Sequence, residues 1–373
     1  MVSKACVVGI YQRKLEELAC LPNMELTVVV PPYWRDERGV VALERQYTSG
    51  YDLIVEPILF NGHFHLHFYP RLAARIRKVQ PDLVHIDEEP YNLATAHAVW
   101  LACREGVKSL FFSWQNIYRR YPFPFQLLEQ YVLCQVKYGI VGNRESAEIW
   151  RRKGYRGPLA VIPQFGVDPE VFYPIPKLPH SEFVVGYVGR LVEEKGVDLL
   201  LEALSGLEGA WQACILGNGP ARAALQGLAH QLGIAERTSF DAQIPSTQIP
   251  DYYRRLDVLV LPSRTRSNWK EQFGRVLIEA MACGVPVIGS DSGEIPNVIG
   301  DAGLVFPEGR ADLLRAHLAR LMSDLDLCTT LAQRGRERVL AHYTQAQIAA
   351  ETYRVYQAVL EESAELDTFA LKT

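Results

Sequence analysis

The sequence predicts an α/β protein made of two doubly wound, Rossmann-like units facing a cleft. Its 373 residues exceed what a single hydrophobic core usually organises. Short, near-continuous apolar runs alternate with amphipathic segments, the pattern of parallel strands buried on both faces and joined by crossover helices. The alternation stops at a proline-rich stretch and then starts again.

The expected strands of the first unit are Ala5–Ile10, Leu26–Val30, Leu53–Val55, Leu83–Ile86, Val107–Ser113, Tyr138–Gly142 and Leu159–Ile162. Between them, Arg71–Val79, Asn92–Glu105 and Arg144–Lys153 have the length and periodicity of crossover helices. Residues 163–181 hold five prolines and no helical period, so a linker is expected over 166–181, after a first unit of residues 1–165. The second unit, residues 182–343, has strands expected at Phe183–Val188, Ala213–Leu216, Ser239–Asp241, Val258–Leu261, Pro286–Ser290 and Gly303–Phe306. Its helical patterns are Val197–Leu204, Ala221–Gln231, Asp251–Leu256, Phe273–Cys283 and Ala311–Met322. The remainder, Asp324–His342 and Gln345–Glu362, is helical only, and residues 344–373 are expected to pack back on the N-terminal unit. In such units, ligands are expected at the carboxyl ends of strands.

Composition excludes several classes. Residues 1–170 carry 20 Lys and Arg against 18 Asp and Glu, and residues 171–373 carry 19 against 25, which argues against a nucleic-acid surface. The seven cysteines are an odd set without a C-x-x-C pair, so neither a disulfide framework nor a zinc site is expected. No run approaches the roughly 18 apolar residues of a membrane span. The start, Met1-Val2-Ser3-Lys4, runs directly into apolar sequence, which reads as no secretory leader and a cytoplasmic location, peripheral at the inner face of a membrane if anchored at all.

Three segments carry chemistry. Pro262–Pro286 leaves a buried strand, crosses a polar loop containing Glu271, and enters a helix at Phe273-Gly274 that carries Glu279. Free N–H groups at a helix start suit a phosphate, and the two glutamates can accept hydrogen bonds from sugar and ribose hydroxyls. The bland alternative makes Glu271 a cap and Glu279 a solvated residue. Gly186–Gly196 puts Arg190 and Lys195 after the first strand of the second unit, where two cations can neutralise a diphosphate leaving group or can simply be solvated charges beside Glu193 and Glu194. Ile215–Pro220 ends a strand in the turn Gly217-Asn218-Gly219, which a tight connection also explains.

In order and spacing these segments resemble the family 4 glycosyltransferases, retaining enzymes of the GT-B fold. The resemblance spans essentially the whole chain and is most specific in EQFGRVLIEAMACGVPV. It implies a nucleotide-sugar donor as substrate, a sugar or lipid-linked acceptor bound by the N-terminal unit, no cofactor and no metal. It gives Glu271 to the donor sugar, Glu279 to the ribose, and Arg190 with Lys195 to the diphosphate. Gln272, Phe273 and Gly274 would face the donor through their backbone, Gln243 and Ile244 would lie by the base, and Gly217, Gly219 and Gly9 complete the donor-binding set. Gln115 stands where many relatives have histidine; it cannot act as a base but can hold a hydroxyl or carbonyl. That fits a front-face mechanism in which the leaving phosphate takes the acceptor proton. The expected setting is glycolipid, cell-envelope or exopolysaccharide synthesis. A nucleotide-sugar epimerase of the same fold and a non-catalytic sugar-nucleotide-binding partner subunit are the alternatives.

Other signals read as structural or mixed. Asp324-Leu325-Asp326 spells a metal signature, but acidic residues at a helix start suit the dipole. His63, His65 and His67 alternate, and an ordinary half-exposed strand with Phe64, Leu66 and Phe68 on its other face accounts for them better than zinc does. The aromatic and basic run Trp114–Phe125, with Arg119 and Arg120, suits either a lipid-linked acceptor at a membrane surface or packing on its own unit.

Overall fold

A computed structural model describes residues 1–36, 39–176, 181–242 and 244–370. The chain forms two compact units, one of residues 1–165 with 345–373 and one of residues 166–344.

In the first unit, β1 (Thr27–Val30) pairs in parallel with β4 (Asp52–Val55), and β2 (Tyr33–Asp36) with β3 (Gly39–Ala42) forms an antiparallel ribbon. β5 (Leu83–Ile86), β6 (Lys108–Ser113), β7 (Tyr138–Val141) and β8 (Leu159–Val161) form a parallel sheet in that order. Val2 bridges to both Val29 and Ile86 and so joins the two parallel pieces. Alternate strand residues face opposite cores, as the pleat requires. Val29, Phe111 and Val141 pack with α2 (Leu72–Val79), α3 (Leu93–Arg104) and the buried Trp150 of α5 (Arg144–Arg152). Val28, Val30, Leu110, Phe112 and Ile140 pack on the other face with Leu15 and Leu18 of α1 (Arg13–Ala19) and with Ile348, Tyr356 and Val359. These last three lie on α13 (Gln345–Ala370), and α4 (Phe125–Gln135) also belongs to this unit. Tyr356 Oη lies 2.6 Å from His85 Nδ1 inside the unit.

The second unit is a six-stranded parallel sheet in the order β11-β10-β9-β12-β13-β14, a doubly wound arrangement. The strands are β9 (Phe183–Val188), β10 (Trp211–Leu216), β11 (Thr238–Asp241), β12 (Val258–Leu261), β13 (Val287–Ser290) and β14 (Leu304–Phe306). Every residue of β12 and β13 is buried, as their unbroken apolar runs lead one to expect. The covering helices are α6 (Val197–Ser205), α7 (Arg222–Gln231), α8 (Ile249–Arg254), α9 (Arg275–Ala282), α10 (Ile295–Ile299), α11 (Ala311–Ser323) and α12 (Leu325–His342). The fold is GT-B, each unit being Rossmann-like.

Two expected strands are absent, and the expected linker is partly built into a unit. Ala5–Ile10 forms two short 3₁₀ turns, Ala5–Val7 and Gly9–Gln12, because the fully buried Gln12 donates from Nε2 to Cys6 O (2.9 Å) and Glu44 O (2.6 Å). A side chain that satisfies the backbone locally competes with a sheet ladder. Residues 63–67 are likewise turns: Leu66 N and His67 N both donate to His63 O at 3.0 Å. His67 is therefore fully buried while His63 is exposed, and the three histidines share no face. Phe64 and Leu66 are exposed rather than filling an inner face. Of the proline-rich stretch, residues 166–176 belong to the second unit, where Val167 bridges to Thr344 and Phe172 is buried beside Tyr253; residues 177–180 lie outside those described.

Candidate active site

The connections that leave β9 and β12 run in opposite directions along the sheet, which opens a crevice at the carboxyl ends of these neighbouring strands. The loop after β9 supplies Arg190 and Lys195; the loop after β12 supplies Ser263 and Glu271. Lys195 Nζ donates to Glu271 Oε2 at 2.6 Å, and Ser263 Oγ donates to the same oxygen at 2.8 Å. Lys195 also lies 4.9 Å from the centre of the Trp269 ring. Glu271 is only 7% exposed, so its carboxylate is held by a cation and a hydroxyl rather than by bulk water. The Arg190 side chain is exposed, and its carbonyl accepts from Tyr187 Oη (2.8 Å), which fixes the loop that carries it.

Gly274 is the N-cap of α9, and its φ of +80° is the left-handed region where glycine is favoured. Phe273 is buried with its ring edge-on to Tyr343 at 5.7 Å, and Gln272 is exposed. Glu279 is buried, not solvated: it accepts from Tyr253 Oη at 2.8 Å and pairs with Arg275 Nε at 2.8 Å. Burial, reinforced by this carboxylate, pushes the Tyr253 hydroxyl well above the usual phenol range, so it stays a donor.

The glycine pair after β10 holds two loops in contact. A Cβ on Gly217 would lie 1.8 Å from Gly189 O, and Leu191 N donates to Asn218 O at 2.9 Å. Arg222 Nη1 reaches Gly217 O (2.9 Å) and Asp241 O (3.1 Å), tying in the end of β11. Ile244 follows in a half-buried position, and Gln243 lies outside the described residues.

In the first unit, three consecutive acids, Asp87, Glu88 and Glu89, follow β5. Asp87 accepts from Ser3 Oγ (2.6 Å) and Gln164 Nε2 (2.9 Å). Glu88 pairs with Lys4, and His67 Nε2 stands 3.6 Å from its Oε1. Although burial opposes ionisation, Lys4 and His67 prevail and hold Glu88 down at about 2. Glu89 accepts from Ser113 Oγ (2.6 Å) and Trp114 N (2.8 Å), yet desolvation pushes it up to about 7. Gln115 is 7% exposed; its amide N donates to Ser113 Oγ (3.1 Å), its Nε2 to Ile117 O (3.0 Å), and its Oε1 accepts from Lys153 Nζ (3.1 Å). Gly9 is buried and its N–H donates to Glu44 Oε2 at 2.6 Å. A cavity of about 800 Å³ opens at the other end of the sheet, beside Thr27, Leu83 and His85, and none of the expected site residues lines it.

The structure thus gathers Lys195 and Glu271 at one crevice, with Arg190 on the same loop as Lys195. It joins Gln115 to a polar network containing Glu89 within the other unit. Ser263 and Tyr253 were not singled out from the sequence. Ser263 had a signal, as the first hydroxyl after β12; Tyr253 is 26 residues from its partner Glu279 and had none.

Comparison with known proteins agrees with this geometry. Residues 172–338 match the family model described as glycosyl transferases group 1. A GDP-mannose-dependent alpha-(1-6)-phosphatidylinositol monomannoside mannosyltransferase of Mycobacterium tuberculosis (strain CDC 1551 / Oshkosh) is 33% identical over 215 residues, 52% of this chain and 55% of that protein. A D-inositol 3-phosphate glycosyltransferase of Mycobacteroides abscessus is 37% identical over 201 residues, 49% of this chain and 44% of that one. The chain therefore spans about half the length of the curated relatives it matches. Among solved structures, sucrose-phosphate synthase from Thermosynechococcus elongatus superposes with a TM-score of 0.73 at 22% identity, over 97% of this chain and 98% of that one. With a glycosyl transferases group 1 match over residues 172–338 and the GT-B fold, the chain resembles the family 4 glycosyltransferases.

Proposed function

We propose that the protein is a retaining glycosyltransferase that moves a hexosyl group from a UDP- or GDP-sugar to an acceptor hydroxyl without a metal. The observation that carries this reading is the Lys195–Glu271–Ser263 cluster at the crevice between β9 and β12, with Arg190 on the same loop. Arg190 and Lys195 neutralise the diphosphate, and the N–H groups at the start of α9 supplement them. Glu271 holds a hydroxyl of the donor sugar, and Glu279, bridged by Tyr253 and Arg275, holds the ribose. The bond from the anomeric carbon to the diphosphate breaks on the same face on which the acceptor oxygen bonds, and the acceptor proton passes to the departing phosphate oxygen. The curated relatives named for GDP-mannose favour a GDP donor.

The proposed setting is glycolipid, cell-envelope or exopolysaccharide synthesis at the cytoplasmic face of a membrane. Phe123, 79% exposed, and Leu127, 55% exposed, stand near Arg119 and Arg120, a combination suited to an anionic lipid surface. No helix among the described residues is long and apolar enough to cross a membrane. Incubation of UDP- and GDP-hexoses with p-nitrophenyl glycosides, followed by proton NMR of the product, tests the proposal. An α-donor should give an α-linked product, and anionic vesicles should raise the rate of the wild type but not of Phe123→Ser. A β-linked product, or isomerised donor without transfer, contradicts it.

A further inference from the structure

We propose that Glu89 is the acceptor-binding carboxylate of the first unit, accepting a hydrogen bond from the attacking hydroxyl of a sugar seated against Tyr121. This rests on the transferase reading above and adds to it the residue that orients the acceptor. Of the three acids after β5, two are committed to the fold: Asp87 to Ser3 and Gln164, Glu88 to Lys4 and His67. Glu89 alone is partly exposed, at the carboxyl end of a parallel strand where ligands of such sheets bind.

Its orientation is fixed from both ends. Its backbone carbonyl accepts from Thr95 Oγ1 (2.7 Å) and Asn92 N (3.0 Å), and its carboxylate from Ser113 and Trp114. Each carboxylate oxygen retains a lone pair for a further donor. On the same turn Asn92 is fully buried, with no partner within ordinary hydrogen-bond distance of its side-chain amide and with His65 as its polar neighbour. Tyr91 and Tyr121 stack at 4.1 Å, with His65 against both rings at 5.4 and 5.6 Å. Tyr91 is buried in this stack, and the half-buried Tyr121 supplies, beside the carboxylate, the apolar surface and the acceptor that a sugar ring requires. No bond of Glu89 forms or breaks; the proton of the hydroxyl goes to the departing phosphate.

The groups facing Glu89 are Glu88 on its own turn, Lys4 at the chain start, Ser113 and Trp114 after β6, Tyr91 and Tyr121, and Lys153 after α5. Because burial raises this carboxyl from 4.5 to about 7, the folded state holds its proton more tightly than the unfolded one. Stability is lost as pH rises from 4.5 through 7, and the ionised form that can accept a hydrogen bond from the hydroxyl is maintained at the expense of the fold.

The test measures release of nucleoside diphosphate from UDP- and GDP-hexoses, with p-nitrophenyl glycosides as acceptors and with water alone, alongside melting at pH 6 and pH 8. In Glu89→Gln, acceptor-dependent kcat/KM should fall at least tenfold and the acid limb of the wild-type pH profile should disappear. Melting at pH 8 should equal or exceed the wild type, and nucleoside diphosphate should still raise it. Glu88→Gln should instead lower the melting temperature. Unchanged transfer and pH profile in Glu89→Gln overturn the assignment, as does a loss of activity accompanied by a lower melting temperature at pH 8. A wild type that nucleotides do not stabilise and that releases no diphosphate overturns the transferase reading itself.

Discussion

Glu271→Gln is expected to lower turnover about a hundredfold or more while leaving the fold nearly intact. The carboxylate is buried between Lys195 Nζ at 2.6 Å and Ser263 Oγ at 2.8 Å, so its charge acts on a small, partly dry volume. Preorganised groups in such a volume contribute roughly 3 to 4 kcal/mol to a transition state. The amide keeps the size and one acceptor of the glutamate but loses the charge that aligns Lys195. Stability should change much less than turnover, because the Lys195 side chain, left without its ion partner, still has 19% of its surface in water and the amide oxygen can still accept from Ser263 Oγ. Steady-state kinetics beside a melting curve separate the two effects. Wild-type turnover would return Glu271 to a purely structural role.

Gly217→Ala is expected to destabilise the second unit by about 3 kcal/mol or more, lowering its melting temperature by roughly 6 to 12 °C. The new Cβ would fall 1.8 Å from Gly189 O, and the backbone φ of +153° disfavours any side chain. Relief requires separating the loops after β9 and β10, which breaks the bond from Leu191 N to Asn218 O. Since the first of these loops also carries Arg190 and Lys195, donor affinity should fall with stability. A melting temperature within a degree or two of the wild type would mean that the two loops are not in this contact.

These effects show what the sequence carries and what it does not. The unbroken apolar runs of β12 and β13 and the helix pattern over Phe273–Cys283, which the structure forms as Arg275–Ala282, were legible, because period and burial are local properties of the chain. Residues 5–10 were as apolar as a strand, but Gln12 reaching back to Cys6 O decides their shape, and periodicity does not report a side chain bonding to backbone. The alternating histidines failed for a similar reason, since the turn bonds to His63 O outweigh the period. The placing of Arg190 and Lys195 after β9 and of Glu271 after β12 was legible from motif spacing. The separate fates of Asp87, Glu88 and Glu89 were not, because they depend on Ser3, Lys4, His67 and Ser113, which only folding brings to the end of β5. Nor was the burial of Glu279 by Tyr253, a contact across 26 residues.

The central claim, that the loop after β9 binds the diphosphate of the donor, is tested most directly by calorimetric titration of GDP and UDP into the wild type, Arg190→Ala and Lys195→Ala in the presence of a chelator. Each lost charged contact should cost about 1.5 to 3 kcal/mol, so one of the two nucleotides should bind the wild type with the chelator present and bind each variant roughly tenfold to a hundredfold more weakly. Equal affinity in the wild type and both variants, or binding that appears only when Mg²⁺ is restored, would contradict the account.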